Sequence, residues 1–142
     1  MAKTHKYAGS HVLVRTALPA NRVAEIAADL TSDVEELRFQ GEDKGVLHFT
    51  INNPRNPRME WLVFSVALGA EGDRTTARTA ILRHQTNQSR VAFVPVACVE
   101  MLGYSQYRTF MDRLAGHVRL EDPLSTAIVS ELAAPDGGTP AL

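Results

Sequence analysis

The chain has 142 residues, a length that fits one domain and excludes an enzyme with separate cofactor and substrate domains. Its 15 Lys and Arg nearly balance its 16 Asp and Glu, so the basic excess typical of nucleic-acid-binding proteins is absent and no nucleic-acid partner is expected. The single cysteine, Cys98, excludes an intrachain disulfide. We find no signal-peptide pattern and no apolar run near the ~20 residues of a membrane helix, and therefore expect a cytoplasmic protein without a membrane span.

The first part of the chain predicts a strand, a helix and a hairpin. The β-branched run 11–16 is typical of a strand, and Pro19 suits the first turn of a helix whose apolar spacing covers 20–31. Apolar and polar residues then alternate before and after the turn-like segment 41–45. This pattern predicts a hairpin whose second strand, 46–51, is buried on one face.

The middle of the chain predicts a second, longer hairpin. The segment 52–58 contains Asn-Pro-Arg twice, and its two prolines favour a solvent-exposed loop without internal strand pairing. Strands are predicted at about 59–69 and about 75–85, because a glycine-containing turn separates two extended patterns. The run 91–96 is predicted to be a short edge strand or connector, since Pro95 cannot donate to a ladder.

The C-terminal part predicts one strong helix and one weak one. Apolar residues at helical spacing predict an amphipathic helix from Tyr104 to about Leu120. A weaker helical pattern predicts a short helix within 121–134, and the Gly- and Pro-rich end, 135–142, is expected to be disordered. With residues 1–10 interpreted as a flexible N-terminus, the domain is expected to span 11–120.

These elements predict an α+β fold. Consecutive hairpins imply an antiparallel sheet of about five to six strands, which needs a cover on one apolar face. The C-terminal amphipathic helix is long enough to cross such a sheet. We therefore predict a curved antiparallel sheet packed against this helix, with one further helix after the first strand.

The order of elements resembles a known superfamily. The opening pattern from His11 to Leu30, the antiparallel meander and the closing helix from Tyr104 to Met111 are similar to START/Bet v 1-like (SRPBCC, polyketide cyclase-like) helix-grip proteins over roughly residues 10–120. The resemblance implies a reduced member, because the family usually has a second helix after the first strand and more strands. It also implies that a cavity between sheet and last helix takes an apolar ligand, and that a smaller sheet leaves a smaller cavity or none.

This resemblance suggests a candidate site on the helix face that meets the sheet. Its residues are interpreted either as plain core or as the lining of a pocket in which a phenolic hydroxyl fixes the polar end of a small apolar molecule. The candidate ligand-binding residues are Phe49, Phe64, Tyr104, Tyr107, Phe110 and Met111. The predicted function is ligand binding without catalysis, and a cyclase- or hydratase-type enzyme of the same fold is one alternative.

A second alternative is a protein-interaction module that uses the outer face of the sheet. Trp61 and Val63 alternate with the inward set of their strand and should point to this outer face. We expect the segment 124–132 to fold back over them. A second subunit of a homodimer could provide the cover instead.

Other chemistry-bearing residues form no recognisable site. The sequence has no glycine-rich phosphate loop, no paired-cysteine or His-Glu-x-x-His pattern and no Gly-x-Ser-x-Gly elbow, so no catalytic residue, cofactor or metal site is predicted. His48 and His84 are interpreted as polar strand positions, with proton transfer as the alternative. Cys98 is interpreted as a buried, inert thiol. Solvated side chains are expected at Glu100, Asp112, Arg55 and Arg58, with anion binding by the loop of Arg55 and Arg58 as the alternative.

Overall fold

The structure is a computed structural model that describes residues 7–91 and 94–130, with side-chain surroundings for 7–85 and 101–130. The elements, in chain order, are β1 (His11–Thr16), α1 (Ala20–Asp29) with a following 3-10 turn (Leu30–Ser32), β2 (Leu37–Asp43), β3 (Val46–Asn53), β4 (Asn56–Glu71), β5 (Arg74–His84), β6 (Thr86–Val91), β7 (Val94–Met101), α2 (Tyr104–Glu121) and β8 (Thr126–Ser130). The predicted α+β class, the helix after the first strand and the C-terminal amphipathic helix are confirmed.

Six strands form one antiparallel sheet in the order β2-β3-β4-β5-β1-β8, and β6 and β7 pair with each other in a two-stranded sheet. The first strand of the chain therefore lies inside the large sheet, between β5 and β8. Tight turns connect the central hairpins. Lys44 and Gly45 both adopt positive φ between β2 and β3, which is the conformation of a two-residue hairpin turn, and Gly72 does so between β4 and β5.

One face of the large sheet carries the core. The inward residues predicted on β3 and β4 are buried there, except Leu68, which is half-buried. Both helices cover this face with their apolar sides, and α2 reaches across it: its rings contact Phe49 of β3 and Phe64 of β4, and its Tyr107 hydroxyl bonds Thr79 of β5. The apolar residues that alternate along the strands and those at helical spacing in α1 and α2 are therefore buried together in one layer.

Polar contacts fix the two helices to each other and to the sheet. The Nε of Arg22 in α1 donates to Glu121 at the end of α2 at 2.8 Å. Asp122, which follows α2, accepts hydrogen bonds from the Thr16 hydroxyl at 2.7 Å and the Ala17 amide at 2.9 Å. These bonds hold the C-terminal end of α2 at the end of β1.

The prediction of a short helix within 121–134 is wrong for the described residues. The segment 126–130 is strand β8, which pairs with β1 in unbroken register from His11↔Ser130 to Arg15↔Thr126. Its β-branched residues fit an edge of the sheet, and tertiary pairing overrides the weak helical spacing. Because β5 and β1 separate β8 from β4, roughly 14 Å of sheet lies between β8 and Trp61. The described part of the segment predicted to cover Trp61, residues 124–130, therefore does not lie over it, and residues 131–132 lie outside the described residues.

Both proline-containing segments take part in more β-strand pairing than predicted. Residues 54–58 are exposed, as expected, but β3 and β4 enter this region, and Pro57 lies in the register shift between Asn52↔Glu60 and Asn53↔Asn56. The run predicted at 91–96 is split, because β6 ends at Val91 and β7 begins at Val94. Pro95 lies in a two-stranded sheet, where both strands are edges and a missing N–H is tolerated.

The flexible N-terminus predicted for residues 1–10 is only partly within the described residues. Residues 7–10 are described, form a turn in which the Ser10 amide donates to the Tyr7 carbonyl, and contact α2. Residues 1–6 and the tail predicted at 135–142 lie outside the described residues. No helix in the described part of the chain is long and apolar enough to cross a membrane.

Candidate functional site

Five of the six predicted ligand-binding residues form the centre of the core. All five have no solvent-exposed surface, and the three phenylalanine rings touch: Phe49 and Phe64 stack with centroids 5.2 Å apart, and Phe110 lies 5.1 Å from Phe49 and 4.9 Å from Phe64. The five are Phe49, Phe64, Tyr107, Phe110 and Met111. Among the described residues, these side chains therefore pack against one another in the space that the resemblance gave to a ligand.

The sixth residue, Tyr104, has a different position at the start of α2. It is half-buried, stacks on Tyr7 with ring centroids 4.3 Å apart, and its hydroxyl hydrogen-bonds the Ser10 hydroxyl at 2.9 Å. These contacts attach residues 7–10 to α2. Tyr104 therefore fastens the segment before β1 to the helix.

The hydroxyl of Tyr107 belongs to a buried chain of hydrogen bonds. It donates to the Ser10 carbonyl at 2.6 Å and, since it has one hydrogen, accepts from the Thr79 hydroxyl at 2.8 Å. The Thr79 oxygen in turn accepts from the Val12 amide at 3.0 Å. Burial raises the pKa of Tyr107 well above its usual value, so the phenol stays protonated and acts as a structural donor.

An open groove lies elsewhere, where the first half of β4 runs beside the end of β5. It has a volume of about 500 Å³, within the range of small-molecule sites. Its described lining combines an indole and aliphatic side chains with a carboxylate, a guanidinium, an imidazole and an amide. We call it the Trp61 groove, and its described lining residues are Glu60, Trp61, Leu62, Val63, Leu82, Arg83, His84 and Gln85.

Two β-bulges form the walls of the Trp61 groove. In the β3–β4 ladder the register jumps from Ile51↔Leu62 to Asn52↔Glu60, which leaves Trp61 as an extra residue without a partner. In the β4–β5 ladder the register jumps from Phe64↔Ile81 to Val63↔Arg83, which leaves Leu82 as the extra residue. Bulges re-aim side chains and occur frequently beside binding sites. Both extra residues line the groove.

Backbone and side-chain hydrogen bonds hold the polar wall of the groove. The Gln85 amide donates to the Trp61 carbonyl at 2.9 Å, and the Gln85 side chain donates to the Glu60 carbonyl at 2.8 Å. Arg83 forms an ion pair with Glu60 at 3.2 Å, and both side chains are exposed. The exposed pair contributes little to folding, and its charges remain accessible to a bound molecule.

Gly103, just before α2, lies close to two lining residues of the groove, Trp61 and Leu62. It has φ 83°, and a methyl group at its Cα would lie 3.2 Å from Ile51 Cγ2 and 3.4 Å from the Cβ atoms of Leu62 and Trp61. The glycine therefore lets the start of α2 approach both the core and the bulge. Trp61 itself is half-buried and packs partly against the core, so the prediction of a purely outward side chain is incomplete.

The other predicted polar positions do not converge. His48 and His84 flank β4, as expected, but His48 pairs with Ser65 and His84 with Leu62. Two strand spacings and three residues along β4 separate their Cα atoms by roughly 14 Å. Proton exchange between these two histidines is therefore not supported.

The remaining predicted residues are on the surface or outside the described side chains. Asp112 pairs with Arg108 at 3.2 Å, and Arg55 and Arg58 are exposed. The side chains of Cys98 and Glu100 lie outside the described residues, so their predicted roles stay predictions. Within the described part of the chain, no group of three or more His, Cys, Asp or Glu side chains is arranged to hold a metal ion.

The described residues also line two smaller hollows besides the Trp61 groove. One, of about 340 Å³, lies between the first turns of α1 and the turn end of β4, beside Ala24 and Leu68. The other, of about 200 Å³, lies between α1 and α2 beside Asp33 and His117. Neither combines an aromatic wall with several hydrogen-bonding groups as the Trp61 groove does.

Comparison of the chain with protein-family models, curated proteins and solved structures finds no match. Sequence reasoning identified Trp61 but placed the ligand site under α2. The signal for the groove was the irregular Asn52–Arg58 region next to Trp61, where the register of β3 and β4 changes.

Proposed function

We propose that the protein binds a small amphipathic molecule in the Trp61 groove. The observation that carries this proposal is the pair of bulges, which turns Trp61 and Leu82 into the walls of one hollow of about 500 Å³. An interior filled by its own aromatic side chains supports a ligand site outside the core. The expected function is binding, as the sequence suggested, at a different place.

The lining defines the class of ligand. Trp61, Val63 and Leu82 offer a flat and aliphatic surface to an apolar body. Arg83 offers donors to a hydrogen-bonding or anionic end group. Because Glu60 already pairs with Arg83, an end group that engages the guanidinium must compete with this carboxylate. An apolar body with one polar end fits this lining better than a multiply charged molecule.

We also propose that the chain is a reduced version of the helix-grip arrangement. An antiparallel sheet, one helix after the first strand and a long helix across the sheet support this relation. Strand β8 after α2 departs from it, because the long helix does not close the fold. In this view the reduced interior is closed and the binding role moves to the bulged end of β4 and β5.

The two alternatives remain predictions. An enzyme of the cyclase or hydratase type would need a polar group available inside the cavity, but the buried Tyr107 hydroxyl is hydrogen-bonded to the backbone and its pKa is raised. This favours an interaction module over such an enzyme. Leu82 is exposed on the outer side of the sheet and could also contact a protein partner. The experiment below separates a small-molecule groove from such a surface.

Trp61 is the only tryptophan, so its fluorescence reports on the groove. We expect 8-anilinonaphthalene-1-sulfonate, an aromatic body with one anionic end, to quench Trp61 by energy transfer with a saturable one-to-one titration. Leu82→Asp should weaken binding by about tenfold, since it places an acid beside the anionic probe. Leu124→Asp, at an exposed position outside the groove, is the matched control and should leave the titration unchanged.

A non-saturable signal, or equal loss of binding in both variants, would contradict the proposal. In that case the outer face would be assigned to a protein partner. Circular dichroism of each variant checks that the fold is retained.

A further inference from the structure

The bulge in β4 decides where the acidic side chain of the Trp61 groove lies. In a regular strand Glu60 and Val63, three residues apart, would be on opposite faces. Their respective partners on β3 are Asn52 and Thr50, which share a face, since the Thr50 hydroxyl donates to the Asn52 side chain at 2.8 Å. Because paired residues also share a face, the extra residue of the bulge brings Glu60 to the same outer face as Val63.

Arg83 reaches this carboxylate from the neighbouring strand. It pairs with Val63 in the β4–β5 ladder, and its Nη2 donates to Glu60 Oε1 at 3.2 Å. By contrast, Arg22 uses both Nε and Nη2 to bind the two carboxylate oxygens of Glu121. Among the described contacts of Arg83, Nε and Nη1 have no acceptor. Its planar fork therefore keeps donors for a further oxygen.

The ion pair in the groove is also open to solvent. The side chain of Arg83 is 72% exposed and that of Glu60 is 43% exposed. Exposed pairs of this kind are weak, because water screens the charges and two flexible side chains must be ordered. A carboxylate or sulfonate that an apolar body holds beside Arg83 can form two parallel bonds to the guanidinium. Such a group is expected to displace Glu60 from its single contact.

The charges of the groove match one anionic group. Arg83 and Glu60 are the only residues with a permanent charge in the described lining. The Gln85 side chain adds no charge, and it already donates to the Glu60 carbonyl at 2.8 Å. One guanidinium can neutralise one anionic group, and the neighbouring carboxylate repels a second. A monoanion is therefore the best match to this lining.

We propose that the Trp61 groove selects molecules with one anionic end group, which Arg83 binds, and that Glu60 limits their affinity by competing for the same guanidinium. The ligand class is an aromatic monocarboxylate or monosulfonate whose apolar body lies against Trp61 and Leu82. This inference rests on the proposed function, because it concerns the same groove. It predicts that removing the charge of Glu60 strengthens the binding of an anion.

Two probes with the same aromatic body test the proposal on the full chain. One is 8-anilinonaphthalene-1-sulfonate, and the other is N-phenyl-1-naphthylamine, the same ring system without the sulfonate. Glu60→Gln keeps the size of the side chain and should tighten binding of the sulfonate by about threefold to tenfold. Arg83→Gln should weaken it by about tenfold. Both variants should change binding of the neutral probe by less than about twofold.

Glu71→Gln is the matched control. Glu71 pairs with Arg15 at 3.2 Å on the same sheet, and neither residue lines the groove. This variant changes the net charge of the protein by the same amount as Glu60→Gln, so it measures long-range attraction of the anionic probe. Both of its titrations should match the wild type. Circular dichroism of each variant checks that the fold is retained.

The outcomes separate this inference from the proposed function. Opposite effects of Glu60→Gln and Arg83→Gln on the sulfonate, with little change for the neutral probe, support it. Saturable binding of both probes that neither variant changes, or that each variant changes equally, overturns the anion selectivity and leaves the groove as a site for an apolar molecule. An equal gain in Glu71→Gln also overturns it, because net charge then explains the gain. If neither probe binds saturably, the proposed function and this inference are both wrong.

Discussion

The interior under α2 and the Trp61 groove use aromatic residues in opposite ways. Under α2, Phe49, Phe64 and Phe110 contact one another, and the described residues leave no buried side-chain nitrogen or oxygen without a hydrogen-bond partner. In the groove, a single indole is half-buried next to an exposed Arg83–Glu60 pair. In the first region the side chains pack against one another, whereas in the second they keep exposed surface that another molecule can contact.

An aromatic stripe on a helix therefore does not by itself indicate a ligand site. Regular pairing lets the rings on β3 and β4 meet those of α2 and close the space between them. Irregular pairing creates the groove, because each bulge adds a residue that has no place in the alternation. Binding is therefore expected where the ladder is broken.

The largest expected effect is the difference in protein stability between a substitution under α2 and a substitution in the groove. Phe110→Ala should lower the free energy of unfolding by about 3–5 kcal/mol, because it leaves a cavity among buried rings. Leu82→Ala, in the groove, should change it by only about 0.5 kcal/mol. Urea unfolding measures both. A small effect of Phe110→Ala would mean that the space under α2 is not closely packed.

A smaller effect is expected at the two tyrosines of α2. Tyr107→Phe removes a hydroxyl that two buried groups need, and should cost about 1–3 kcal/mol. Tyr104→Phe loses one partly buried bond to Ser10 and should cost about 0.5–1.5 kcal/mol. Thermal unfolding of both variants checks this order. A reversed order would contradict the structural role given to Tyr107.

Gly103 tests the connection between core and groove. Gly103→Ala should cost about 1–2 kcal/mol for its left-handed backbone, and its methyl group should press on Trp61 and shift the indole emission. Gly116→Ala is the control, since nothing lies near its added methyl and helix propensity should stabilise it by about 0.5–1 kcal/mol. Equal destabilisation of the two variants, without an emission change at Gly103→Ala, would argue against this close approach.

The smallest effect concerns acid stability. Hydrogen bonds from the Ala17 amide and the Thr16 hydroxyl lower the pKa of Asp122. A lowered folded-state pKa stabilises the protein above the unfolded value of about 3.9 and loses this contribution as the pH falls below it. Asp122→Asn should therefore melt lower than wild type at neutral pH and lose less of its melting temperature on acidification. Glu35→Gln, at an exposed position, should follow the wild-type pH profile.

Local patterns predicted most of the fold. The spacing in 20–31 and after Tyr104 predicted both helices, and alternation predicted β3, β4 and β5, because each pattern matched the face that the element buries. The pattern failed at β8. Leu124 and Ile128 are four residues apart, as in a helix, but pairing with β1 decides the structure of this segment.

The site was less predictable than the fold. The sequence reasoning identified Trp61 as unusual but could not show that it is the extra residue of a bulge, because register depends on where two neighbouring strands align. The same holds for Leu82, which lies within the strand predicted at about 75–85 and is the extra residue of the second bulge. In contrast, the ring contacts under α2 followed from residue spacing, but spacing alone did not show whether they enclose a space.

Amide chemical-shift mapping by NMR, with 8-anilinonaphthalene-1-sulfonate at saturation, tests the location of the site most directly. We expect the largest shifts at residues 60–63 and 82–85, with the amides of Tyr107, Phe110 and Leu114 almost unchanged. Largest shifts along this inner face of α2 would contradict the account, because they would place the ligand between the helix and the sheet.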